Sequence, residues 1–302
     1  MPKNTGLFPG VAPTVADGVI TLDMMLQEPT RIARYIADIT ALGMFTDRIF
    51  STGEAKGGAI LYEVALKNAL LADDHNGVIA PGGNYPTVDV TTDDPKVIKT
   101  VKVGGKFSVT DEAAKRNDLT MMQRRAQRVA NTMVYDLDGM GMQAVREALT
   151  AYDADIIKVE SGGWATINKT KKLDQTAAKS IRADINKAFT EGRKSQMGYV
   201  YNLLALHPDD HLEFSNAFDD DEAESKFLQN KGLEVISSPL ATKGEGWLIA
   251  EQQVGTMGVE EGITTTTYRD EDRDLTWTKT RAMLAYAVTD PLAVIKITGL
   301  GS

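Results

Sequence analysis

Three stretches of the chain hold residue types at spacings that could do chemistry. His207-Pro-Asp-Asp-His211 sets two imidazoles four residues apart with carboxylates between them, a spacing that suits a metal on one helix face. A protein metal site wants a third ligand, and the remaining histidine, His75, lies far upstream in a region of different character. The stretch reads more simply as a strand-to-helix junction with Asp209 near the N-cap. Gly139-Met-Gly141-Met-Gln-Ala144 has the spelling of a dinucleotide fingerprint. That motif must follow a strand and open a helix, so that backbone N–H groups face a pyrophosphate; here it lies inside a long helical pattern. Asp219-Asp-Asp-Glu222 lacks the alternating ligands and the glycine of a calcium loop and reads as a solvated loop. No Walker loop, Gly-x-Ser-x-Gly elbow or His-Glu-x-x-His occurs, and cysteine is absent, which removes thiolate nucleophiles, disulfides and Cys-based metal sites. No catalytic set, metal or cofactor is expected.

A basic cluster remains. Lys115, Arg116, Arg124, Arg125 and Arg128 make the entry to a long helix positive. They can pair with neighbouring acids, or Arg124, Arg125 and Arg128 can turn toward DNA phosphates. The chain as a whole carries 33 Lys plus Arg against 42 Asp plus Glu, a formal charge of -9, so only a local face could meet nucleic acid. No apolar run is long enough for a signal peptide or a membrane span, and no membrane partner is expected.

The elements that would position these residues change character along the chain. Residues 1–19 are rich in Pro, Gly and small residues and should be extended and build no core of their own, either as a frayed terminus or as an arm that orders on a neighbouring subunit. Residues 20–42 read as helical, with Ile32, Tyr35, Ile36 and Ile39 spaced three to four apart. Residues 47–108 hold short β-rich runs separated by turn signals: Ile60–Val64, Val78–Ala80, Val88–Val90, Val97–Val103 and Phe107–Val109, with turns at Gly57-Gly58, Asn76-Gly77, Pro81–Asn84 and Gly104-Gly105, and a short helical piece near Val64–Leu71. So many turns and so few large apolar residues make a projecting hairpin that needs a partner surface. Residues 118–150 carry one apolar stripe, from Leu119 and Met122 through Leu137 to Ala148, and predict a helix roughly 50 Å long. Gly139 and Gly141 inside it mark a bend or a close crossing. A further helix is predicted over Ala177–Gly192, with Gly192 as its C-terminal stop. Beyond it β and α alternate: strand Tyr199–Leu206, helix Asp209–Phe218, strands Leu233–Ser237 and Gly246–Ala250, a hairpin of Thr264–Arg269 and Leu275–Ala287 around the acidic turn Asp270–Asp274, and a last strand Val294–Ile297.

This order of parts resembles the major capsid protein of tailed bacteriophages, a fold shared with encapsulin shells. Local stretches carry the resemblance: Val78-Ile-Ala-Pro-Gly-Gly-Asn-Tyr-Pro86 is similar to the turn of the extended loop, and Lys102–Glu112 to the strand returning toward the spine helix. Leu206-His-Pro-Asp209 is similar to a strand-end turn, and Tyr268–Trp277 with Arg281–Ile295 to the closing hairpin and the Asp-Pro-x-Ala entry to the last strand. The resemblance implies an α+β fold: arm and first helix (1–46), extended β loop (47–108), peripheral domain around the spine helix (109–174 plus 261–287), and α/β axial domain (175–260 plus 288–302). It implies a structural protein and no enzyme, assembled with copies of itself as hexamers and pentamers of an icosahedral head in the host cytoplasm. The head encloses double-stranded DNA, with a portal and decoration proteins as further partners. Pro81, Gly82, Gly83, Tyr85 and Pro86 would be the inter-subunit tip of the loop. Some relatives carry a helical scaffolding segment before the arm; a first helix by about residue 20 leaves no room for one, so a separate scaffolding protein is expected. Some cross-link a loop lysine to an asparagine beside a glutamate; Lys56 and Lys67 are the loop candidates, and no partner stands out. The competing readings are an encapsulin-type compartment around protein cargo and an acidic α/β enzyme with a ligand-filled cleft.

Overall fold

The computed structural model describes residues 36, 44–66, 79, 81–83, 95–115, 119–164, 176–218 and 220–301. In chain order the elements are α1 (Thr46–Ile49), β1 (Ser51–Glu54), β2 (Ala59–Tyr62), β3 (Lys96–Lys99), β4 (Val101–Thr110), α2 (Asp111–Lys115), α3 (Leu119–Ala151), β5 (Ile157–Glu160), α4 (Thr176–Lys194), β6 (Leu203–Leu206), α5 (Pro208–Asn216), α6 (Asp221–Lys231), β7 (Glu234–Ser237), β8 (Glu245–Ile249), β9 (Gly255–Asp270), β10 (Leu275–Val288) and β11 (Val294–Thr298). The architecture is α+β. The arm (1–19), the strand Val88–Val90, His75, Lys67 and the expected cap Asp118 lie outside the described residues, as does the helix of 20–42 apart from Ile36 and the helical piece near Val64–Leu71 beyond Leu66. Ile36 is helical and buried against Phe107, Val109, Met122 and Ala126.

The spine helix α3 follows the apolar stripe. Met122, Ala126, Ala130, Met133, Leu137, Met142 and Val145 recur every three to five residues and are all buried. The two glycines inside it behave differently. A Cβ on Gly139 would meet nothing within 4 Å, whereas one on Gly141 would lie 2.6 Å from Thr46 Cγ2 and 3.3 Å from the Tyr286 ring. Gly141 is therefore the close crossing, and the helix passes through both without a break.

The spine lies against a four-stranded sheet ordered β1-β9-β10-β4, in which β10 runs antiparallel to both β9 and β4. The expected turn at Gly104-Gly105 is not there. β4 runs straight through, with Gly104 opposite Arg281 and Gly105 opposite Thr280. A Cβ on Gly104 would stand 2.4 Å from the Thr280 carbonyl oxygen, so the glycine permits close strand approach instead of reversing the chain. β9 also begins earlier than its apolar pattern suggested. In its added first part Gly258 makes room for Ile60, whose Cδ1 would lie 2.1 Å from a Cβ there.

The second sheet, ordered β5-β11-β8-β6-β7, carries most of the core. All of β6 is buried, and Ile181, Ile185 and Ala188 of α4 and Phe214 of α5 belong to the same cluster. β5, within the segment 109–174, pairs with β11 of this sheet. Gly192 does not stop α4, which continues to Lys194; a Cβ at Gly192 would fall 2.5 Å from the Tyr201 ring and 2.9 Å from Ile295 Cδ1, so it is a packing glycine. Of the acidic run, the described residues 220–222 are likewise no loop but the cap and start of a helix. The Asp220 carboxylate accepts from Ala223 N at 2.7 Å and caps α6, with Asp221, Glu222 and Glu224 in the first turn facing the positive helix end.

Candidate assembly surfaces

β2 and β3 form a two-stranded ribbon that pairs with no third strand among the described residues. In its register Ile60 faces Ile98 and Leu61 faces Val97. Ile60 seats against Gly258 of β9, while Leu61 and Val97 on the opposite face are 68% and 63% exposed. Paired ribbons of this size are marginal in water, and this one turns a cross-strand apolar pair to solvent. Farther along the excursion Pro81, Gly82 and Gly83 are exposed, with Gly82 at φ 86° in a turn. Tyr85 and Pro86 lie outside the described residues.

The ribbon's root is clamped from two sides. Asp138 of α3 is buried, and its carboxylate accepts from Thr46 N at 3.1 Å, Thr46 Oγ1 at 2.7 Å and Phe45 N at 3.4 Å. Burial pushes this carboxyl above its usual range, and the three donors offset only part of that. On the other side Arg48 donates through Nε to Glu251 at 2.6 Å and through Nη2 to Glu234 at 2.9 Å. The four residues of α1 thus fix where β1 joins the first sheet and the ribbon departs from it. Asp138 sits beside the apolar stripe, and no periodicity marks it; the only sequence signal is its place next to the glycine pair.

The basic cluster divides. Arg124 and Arg128, one turn apart on α3, are exposed. Arg125 is half-buried, and its Nη1 donates to the carbonyl of Ser108 in β4, which ties helix to sheet. Arg116 lies outside the described residues. His207 accepts from Asp209 N at 3.2 Å and is itself the N-cap of α5, and His211 stacks on Phe214. Among the described residues no group of three or more His, Asp or Glu side chains is placed to hold a metal, and no helix is long and apolar enough to cross a membrane. Beside the exposed Tyr135, a cleft of about 750 Å³ runs between α3 and the start of β4, with Val101, Met140 and Leu240 in its lining.

A family model described as phage capsid protein matches residues 93–297. No curated protein sequence matches the chain. Among solved structures, the virus-like particle from Pyrococcus furiosus aligns with TM-score 0.60 and 12% identity over 89% of this chain and 99% of that one. The capsid of Cyanophage P-SCSP1u aligns with TM-score 0.60 and 10% identity over 86% and 89%, and Mycobacterium phage Bobi with 0.57 and 14% over 86% and 91%. At these identities the structures speak for the fold, and the family model speaks for the role. With that model matched over residues 93–297, the chain belongs to the phage capsid protein family and is a structural, major capsid protein.

Proposed function

We propose that this chain closes an icosahedral head of hexamers and pentamers around double-stranded DNA, using the ribbon as its principal inter-subunit contact. The observation that carries the ribbon's role is the exposed Leu61–Val97 pair on an excursion clamped at its root. In a ring each ribbon lies on the next subunit, and closed heterologous contacts leave no copy with a bare edge. Residues 47–108 then act as the extended loop, with Pro81, Gly82, Gly83, Tyr85 and Pro86 at its tip. The α3-centred segment (109–174 plus 261–287) forms the peripheral domain, and 175–260 plus 288–302 the axial one. Arg124 and Arg128 face the lumen and touch packaged DNA, whereas Arg125 is held by Ser108. A separate scaffolding protein, a portal and decoration proteins complete the assembly, which proceeds in the host cytoplasm.

The test replaces Gly57–Lys96 by a short Gly/Ser linker in the full chain. Far-UV circular dichroism should show a folded subunit, and electron microscopy should show no shells. Normal shells from the deleted chain would refute the ribbon's role.

A further inference from the structure

The ribbon's inner face is seated on its own subunit well beyond the root. Tyr62 and Lys96 face each other in the β2–β3 register, and by strand alternation they share the side of Ile60, the residue received at Gly258. From that side the Lys96 ammonium reaches Tyr152, one residue past the end of α3. Its Nζ lies 4.7 Å from the ring centroid and donates to the phenolic oxygen. Tyr152 is itself half-buried against the main core. Just after β2, Val64 is buried, and Ala65 N donates at 2.7 Å to the carbonyl of Thr289, where β10 gives way to β11. Tyr152 stands about 20 Å farther along the spine than the Asp138 clamp. Between clamp and tyrosine the ribbon leaves the first sheet through Gly57 and Gly58, at φ 69° and 77°. Thr100 N donates to Gly58 O at 2.9 Å across this joint. That bond pins the joint in place and leaves the far end of the ribbon to be directed by what it touches there.

We propose that Lys96 is a positioning residue for shell assembly: its contact with Tyr152, together with the Ala65–Thr289 bond, sets the direction in which the rest of the extended loop is carried to a neighbour. The proposal rests on the shell reading, in which that loop meets another copy. The two contacts hold both strands of the excursion, Ala65 on the outgoing one and Lys96 on the returning one. The Asp138 clamp cannot do this, because it grips α1, ahead of the joint at Gly57-Gly58. A two-stranded ribbon is marginal by itself, so contacts of modest strength decide whether it keeps one direction. An ammonium over the face of a partly buried tyrosine ring is such a contact. In a closed ring every copy must present its loop at the same place on the next subunit. A copy whose ribbon points elsewhere cannot dock, and the apparent affinity between subunits falls in proportion to the competent fraction.

The test uses the full chain. Lys96→Ala should raise the subunit concentration at which shells form by up to about fivefold, with an unchanged far-UV circular dichroism spectrum. Lys96→Arg, whose guanidinium also stacks on an aromatic face, should assemble near the wild-type concentration. In a Tyr152→Leu background, Lys96→Ala should have no further effect. If Tyr152→Leu fails to fold, Tyr152→Phe keeps the ring without its hydroxyl, and Lys96→Ala should then shift the onset by less than it does in wild type. Assembly of Lys96→Ala at the wild-type concentration, or no rescue by Lys96→Arg, would overturn the proposal. So would an undiminished effect of Lys96→Ala in the Tyr152 variants, which would make the lysine a direct contact with the neighbouring subunit. Wild-type chain assayed alongside separates these outcomes from failure of the shell reading, because then wild type would form no shells either.

Discussion

Two substitutions on the spine helix, two residues apart, should move stability in opposite directions. Gly139→Ala adds a methyl where nothing lies within 4 Å, so it gains the helix propensity of alanine over glycine, about 1 kcal/mol. Gly141→Ala gains the same propensity but drives its Cβ to 2.6 Å from Thr46 Cγ2 and 3.3 Å from the Tyr286 ring. Thr46 cannot swing aside without releasing the bonds its N–H and hydroxyl donate to Asp138. Overpacking of this kind costs ~1–3 kcal/mol, which leaves Gly141→Ala about 0–2 kcal/mol below wild type. The separation between the two variants is then the overpacking cost itself, a difference in melting temperature of about 2 °C or more for a chain of this size. Urea or thermal denaturation of dissociated subunits, followed by circular dichroism, measures it. Because Thr46 sits at the ribbon's root, Gly141→Ala should also lower shell yield while Gly139→Ala does not. Equal shifts, or two stabilised variants, would refute the close crossing and with it the clamp.

Shells built from this chain should dissolve in boiling detergent to a single band near 32.8 kDa, because no loop lysine has a marked cross-linking partner; a ladder of higher species on the gel would show otherwise. Arg124→Gln/Arg128→Gln should leave empty shells intact and reduce the DNA they retain, as read by nuclease-protected nucleic acid, whereas Arg125→Gln should instead destabilise the subunit by loosening its hold on Ser108. Loss of empty-shell assembly in the Arg124/Arg128 variant would make those residues subunit contacts. Burial raises the Asp138 carboxyl above the unfolded value of 3.8, so the folded state binds this proton more tightly and the group favours folding as pH falls through its raised value. Stability measured against pH should show wild type gaining on Asp138→Asn from neutral pH down toward about pH 4; a flat difference would place the carboxyl in water. Expressed alone, the chain should give aberrant particles or free capsomers that co-expression with a scaffolding protein corrects, and uniform shells from the single chain would remove the need for that partner.

Much of the frame was legible because it rests on periodicity. The stripe from Met122 to Val145 is long enough to average out local noise, and the buried run Leu203–Leu206 and the hairpin at Asp270–Asp274 carry strong local signals. Two misreadings share one cause, the tertiary use of glycine. Gly104 looked like a turn and Gly192 like a stop. Each in fact admits neighbours that are distant in sequence: Thr280 and Arg281, and Tyr201 and Ile295. The α6 start failed differently. A run of acids resembles a solvated loop unless Asp220 is seen capping Ala223 and Gly232 closing the helix at φ 60°. The surfaces were less legible than the frame. The ribbon's need for a partner showed in its composition, but the Asp138–Thr46 clamp joins residues 92 apart and leaves no local trace. The register that brings Lys106 opposite Lys279 across the sheet is equally silent in the local sequence.

The proposed role requires that this chain build a closed shell around DNA. Electron microscopy of purified particles containing it, with their contents assayed for nuclease-protected double-stranded DNA, shows whether it does. The expected result is icosahedral shells of hexamers and pentamers, with each ribbon lying on a neighbouring subunit and DNA inside. Shells filled with protein cargo would contradict the contents, and small discrete oligomers with a ligand in a cleft would contradict the shell itself.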